Sequence, residues 1–326
     1  MSQYYANKGE QAYVSSDVAG AGILFEKALR FGENVAARYY LGRIALGKAD
    51  RRGDVLFPDG NYKSAIDHLE KSISLGLASA DADIYADALF ILGIAYWMDG
   101  KHEAADRNFL SMIAVAPEKS DHARYFLAYD YFAFFNKPRE ALDLLNEIKN
   151  AASAEVWTED WVKIESLLSR LSLYFDDYEN AETYAGSVLS KTNYGSDFYS
   201  VNAHLVLAQV RGKNGDFVSM EEEIGKANEL LNKPHYTDCV AALGYYLGEK
   251  YEKAILSAKG ALTYNQDQYA RSICLYVLGK SYLASKDKVN AKKYFDDFLE
   301  LTDQFLFQNV FTARNRDDIK AELAGL

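Results

Sequence analysis

Four prolines in a chain of 326 residues are too few for a loop-rich protein and suit helices, whose interiors must keep their backbone N–H donors. Cysteine is scarcer still. Only Cys239 and Cys274 occur, so no disulfide framework is expected; set among apolar residues, both read as core thiols in a reducing compartment. No apolar run approaches the roughly 18 residues of a membrane span, and the opening MSQYYANKGEQAYVSSD has no apolar stretch of signal-peptide length. A cytoplasmic chain without membrane insertion is therefore expected. Positive charge is in deficit. The 36 Lys and Arg against 47 Asp and Glu leave a formal net charge of −11, which argues against nucleic-acid binding, because phosphates need clustered cations.

Catalytic patterns are missing as well. His68, His102, His122, His204 and His235 form no pair at metal-ligand spacing. The run from His102 to Asp106 begins like a zinc-protease helix, but Asp106 stands where the second histidine must be, so a solvated helix start is expected. Gly20-Ala21-Gly22 lacks the third glycine and preceding strand of a dinucleotide loop, and neither a Gly-x-Ser-x-Gly elbow nor a phosphate-binding Gly-Lys loop occurs. The acidic clusters Asp176-Asp177 and Glu221–Glu223 fall at turns or helix starts, where the helix dipole accounts for them. No enzyme, no cofactor and no metal are expected.

What is present is apolar and aromatic. Hydrophobic residues make up 49% of the chain and aromatic ones 14%, with 25 Tyr and 17 Phe, enough to bury cores and too much for disorder. Ala86–Pro117 (ADALFILGIAYWMDGKHEAADRNFLSMIAVAP) reads as two helix-period segments joined at Asp99-Gly100. Its phrasing recurs. The small residue opening each second helix falls at Ala65, Ala105, Ala141, Ala181, Met220, Ala254 and Ala291, at separations of 40, 36, 40, 39, 34 and 37. That period indicates stacked helix pairs, each leaving an apolar face for its neighbour to cover.

Residues 1–16 read as a short leading helix or arm, and the helix from Asp17 as the second half of an incomplete first unit. Lys48–Gly60, with Gly53, Pro58 and Gly60, reads as an inserted loop; its Arg52-Gly53-Asp54 is taken as loop rather than adhesion signal. Asn150–Glu155 is the blandest joint, giving a seam at 151–156 between N-terminal repeats at 17–150 and C-terminal repeats at 157–304. Residues 305–326 read as an end cap in which Phe305, Phe307 and Phe311 cover the last pair and a polar final helix faces water.

These residues resemble the tetratricopeptide repeat. Leu92-Gly93-Tyr96 with Ala105-Phe109, and Leu278-Gly279-Tyr282 with Ala291-Phe295, follow its pattern. Weaker copies are Leu207-Ala208 with Phe217, and Ala242-Tyr245 with Tyr251 and Ala254; Met220 replaces the expected small residue and Ser169 the glycine of its unit. EKALRFGENVAARYYLG and the lengthened loop add a flavour of the SEL-one-like repeat. The resemblance implies an all-α, right-handed α-solenoid of stacked antiparallel helix pairs, about seven repeats plus end caps, in one domain over 1–326.

In that family the first helix of each pair lines a concave groove. Carried over, the groove positions are Tyr39, Arg43, Phe90, Ile94, Trp97, His122, Tyr125, Tyr129, Phe132, Lys163, Arg170, Asn202, Gln209, Lys213, Tyr236, Tyr246 and Lys280. The groove would be aromatic in its first half and basic to polar in its second. The family's carboxylate clamp of Lys, Asn and Arg is not reproduced. The expected function is a non-enzymatic scaffold or adaptor that binds a peptide or amphipathic helix of another protein, apolar-anchored and acidic. The alternative is a regulatory sensor that closes on a small peptide or metabolite. Self-association through the array's ends is left open.

Overall fold

A computed structural model describes residues 1–47, 61–151, 158–191, 197–231, 237–264, 267–305 and 310–326. The inserted loop, most of the seam, Tyr236 and Phe307 lie outside them. The chain divides into two compact units, residues 1–130 and 131–326.

The first unit holds α1 (Ser2–Val14), α2 (Val18–Leu29), α3 (Val35–Leu46), α4 (Tyr62–Ser74), the one-turn α5 (Leu77–Ala80), α6 (Ala82–Met98), α7 (His102–Val115) and most of α8 (Asp121–Ala133). α1 pairs with α2, α3 with α4, and α6 with α7. The first pair is complete, where half of one was expected. Its signal was legible: Gly9 stands against Phe25, four residues beyond Ala21, just as Gly93 stands against Phe109, four beyond Ala105.

The second unit holds α9 (Pro138–Ala151), α10 (Thr158–Tyr174), α11 (Tyr178–Ser190), α12 (Asp197–Lys213), α13 (Phe217–Leu231), α14 (Asp238–Leu247), α15 (Tyr251–Tyr264), α16 (Gln268–Ala284), α17 (Lys288–Asp303) and α18 (Val310–Ala324). Here α10 pairs with α11, α12 with α13, α14 with α15 and α16 with α17.

One turn recurs at the hairpins. Ser16, Gly100, Asn136, Asp176, Gly215, Glu249 and Lys286 hold φ between 49° and 77°. In six of them the next residue's N–H returns to the carbonyl five positions earlier, as Asp177 to Ser172 and Asp287 to Tyr282, both at 2.9 Å. That bond closes the first helix by satisfying an orphan carbonyl. The same next residue opens the second helix: Asp17, Asp177, Asp216 and Asp287 each accept the N–H three residues on, at 2.9–3.1 Å. The acidic pair at 176–177 is thus a turn and a cap.

The small residues do the expected packing. Ala65, Ala105, Ala141, Ala181, Met220, Ala254 and Ala291 are wholly buried. A Cβ on Gly93 would lie 2.5 Å from the Phe109 ring, so glycine is what lets that ring reach the facing backbone. Met220, the departure, fits because its sulfur lies over Gly244, and a Cβ on Gly212 would lie 2.6 Å from the Gly244 carbonyl. Ser169, the other departure, is buried with its hydroxyl donating to the Ser166 carbonyl at 2.8 Å.

Two expectations are corrected. Cys239 and Cys274 are not free thiols but a disulfide joining α14 to α16; 35 residues apart in sequence, they are brought together by stacking, which the count of two could not reveal. The final helix is not simply a polar cover: Ile319 is fully buried and Asn315 and Arg316 nearly so.

Candidate binding face

The expected groove positions in the first unit sit on α3, α6 and α8. Tyr39 and Ile94 are in the core, so neither is presented to a ligand. Phe90, Trp97, His122, Tyr125 and Tyr129 are half-buried. They form a run of rings. Phe90 lies 6.0 Å from His122 and 6.1 Å from Phe126, Phe126 lies 5.7 Å from Trp97, and Trp97 lies 6.1 Å from Tyr129. Tilted and edge-to-face geometries predominate, which favour aromatic pairs.

Asp130 holds this face in place. Its carboxylate is fully buried. Oδ1 accepts the Trp97 indole N–H at 2.6 Å, and Oδ2 lies 3.2 Å from His102 Nδ1. His102 is therefore a buried contact rather than the solvated helix start expected of it. Its signal lay in Asp130 itself, an acid in the otherwise apolar run YFLAYDYFAFF.

Three of the expected groove cations are already engaged within the fold. Arg43 donates to Asp87 Oδ2 at 2.9 Å and to the Tyr39 hydroxyl at 2.7 Å, tying α3 to α6. Burial first, and then the Asp87 charge, push the Tyr39 phenol well above its ordinary range. In the second unit Lys280 of α16 donates to Asp318 Oδ2 and Glu322 Oε1 of α18, both at 2.9 Å. Burial opposes the Lys280 charge, but the two carboxylates outweigh it and its pKa stands raised. Arg170 lies over the Phe132 ring, 4.6 Å from its centroid, and Phe132 is buried. So a donor on one first helix meets an acid on the next: Arg43 with Asp87, Trp97 with Asp130, Lys280 with Asp318.

The remaining positions are modest. Asn202 and Gln209 bond back to their own helix, at the Phe198 and Leu205 carbonyls, 3.0 and 3.1 Å away. Tyr246 packs against Tyr251 and Tyr276. Lys163 is half-buried and Lys213 exposed. Among the described residues no group of three His, Cys, Asp or Glu could hold a metal, and no helix is long and apolar enough to cross a membrane.

Residues 43–118 match the tetratricopeptide repeat family. That stretch is similar to tetratricopeptide repeats. The match covers α6 and α7 whole, the hairpin whose wording is cleanest. A Rap protein complexed with competence and sporulation factor shares the fold, with a TM-score of 0.52 at 12% identity over 96% of this chain and 99% of that one. Looser likenesses are to the tetratricopeptide domain of P58(IPK), TM-score 0.31 at 13% identity over 99% and 98%, and to the TPR2AB domain of yeast Sti1 in complex with pHSP90, TM-score 0.29 at 13% identity over 93% and 98%. No curated protein is significantly similar to the chain in sequence. In both units consecutive helices pair, as the resemblance implied.

Proposed function

We propose that this chain is a protein-interaction scaffold whose partner segment docks on the aromatic face of α6 and α8. The observation that carries the reading is the run from Phe90 through Trp97 to Tyr129, half-buried and braced from beneath by Asp130. Large aromatic groups fixed before binding lose little side-chain entropy on contact and make good anchors. Because Arg43 and Lys280 already hold carboxylates, the partner is anchored by apolar and aromatic side chains, with acidic ones secondary. A random peptide library displayed on phage and selected on the full chain tests this. Selected peptides should be rich in apolar residues. Tyr125→Ala and Tyr129→Ala should each weaken them by about 2 kcal/mol, roughly thirtyfold, with the circular dichroism unchanged. Equal affinity for both variants refutes the site.

A second reading is a sensor that closes on a small peptide or metabolite. It is favoured by one observation, that the Rap protein sharing this fold is held with competence and sporulation factor. A melting temperature that rises with a small ligand alone supports it; peptides that bind without stabilising the chain favour the scaffold.

A further inference from the structure

Helix α18 is anchored twice within the second unit, at points far apart along the chain. The first anchor is deep. Ile319 is buried with Leu275, Phe295 and Phe298, and Lys280 holds Asp318 and Glu322. The Arg316 guanidinium, itself buried, donates to the Thr302 hydroxyl. The second anchor is thin. Arg314 reaches the α10–α11 turn, 138 residues earlier, with Nη2 2.8 Å from Asp176 Oδ2. Its Nη1 donates to the Tyr174 carbonyl, and its guanidinium carbon lies 5.3 Å from the centre of the Tyr174 ring. The bridges between hairpins described above all join neighbours; this one skips three hairpins, α12–α13, α14–α15 and α16–α17.

We infer that α18 is a strap across the second unit and that Arg314 is its releasable clasp. In a repeat array each hairpin touches only its neighbours, so the spacing of distant hairpins is soft unless something spans them. Here the span ends in an ion pair whose side chains are 45% and 56% exposed. Such pairs contribute little and are screened by salt. The clasp sits in a cleft of about 500 Å³ whose lining also includes Arg139, Glu140 and Phe175, a further cation and a further carboxylate on the same surface. The Asp176 backbone occupies the left-handed position of the hairpin turn at φ 58°, and its Oδ1 accepts the Tyr178 hydroxyl at 3.4 Å. A carboxylate on an incoming segment, competing for Arg314, would free the first hairpin of this unit from its last and widen the face lined by α12 and α14. That consequence rests on the scaffold reading; the clasp itself does not.

The test is the distance between spin labels at Thr183→Cys on α11 and Lys320→Cys on α18, both exposed. The native cysteines are paired, so only the new thiols label. The clasp predicts a narrow distribution in the otherwise native chain and a longer, broader one in R314Q and in D176N. Salt at about 1 M should move the native chain the same way and leave R314Q unmoved. Exchanging the charges, Arg314→Asp with Asp176→Arg, should restore the narrow distribution. One narrow distance in every variant, with unchanged melting, overturns the proposal, because the deep anchor then suffices. A native chain already as broad as R314Q overturns it too. No partner is needed, so this failure is separate from failure of the aromatic-face reading.

Discussion

Two glycines show how far one atom's consequences depend on its place. Gly100 holds φ 74° in the α6–α7 turn, where an L side chain is strained by about 1–2 kcal/mol. Gly186 lies inside α11, and nothing within 4 Å would meet a Cβ there. Gly100→Ala should therefore lower unfolding free energy by about 1 kcal/mol, and Gly186→Ala should raise it by about 0.5–1 kcal/mol. Urea titration of both variants decides it, since the two shifts are opposite in sign. Asp130 is the residue on which the aromatic face depends. Asp130→Ala removes the acceptor of the Trp97 indole N–H and one partner of the buried His102, at a cost of about 1–3 kcal/mol. Trp97 fluorescence should shift as the ring loosens; an unmoved spectrum would mean that packing alone holds it.

At the scale of helices, the disulfide is the feature with most leverage. It closes a loop between α14 and α16 with its cysteines 35 residues apart, which on the loop-entropy view stabilises the fold by about 4 kcal/mol. Both cysteines are fully buried, so a reductant must wait for local opening. Cys274→Ser should lose up to that amount in a denaturant titration, and mild reductant should act slowly on the native chain. A stability indifferent to both would show that stacking holds α14 to α16 unaided. In three hairpins the aromatic four residues after the small one, Phe25, Phe109 or Phe295, packs against a glycine of the facing helix. Phe109→Ala should cost about 3–5 kcal/mol, because the ring fills the space Gly93 leaves.

Over the whole molecule, the repeat was legible and the face only in part. Alanine and glycine at fixed spacing gave away the hairpins because close backbone approach admits few residue types; the Asp caps at the turns were a second signal, attributed to the helix dipole alone. The groove list read less well. Tyr39, Ile94 and Phe132 have the composition of a binding face, yet neighbouring hairpins cover them. Arg43 and Lys280 look like ligand cations in sequence, and only stacking brings Asp87 and Asp318 to them. Periodicity gives a residue's angle on its own helix; burial depends on the next helix, which periodicity does not contain. The same gap hid the disulfide. The most direct measurement is hydrogen exchange of the full chain with a selected peptide bound. Docking on the aromatic face predicts added protection in α6 and α8, at and around Phe90, Trp97 and Tyr129. Protection confined to the second helices of the pairs, such as α7, with α6 and α8 unchanged, would contradict it.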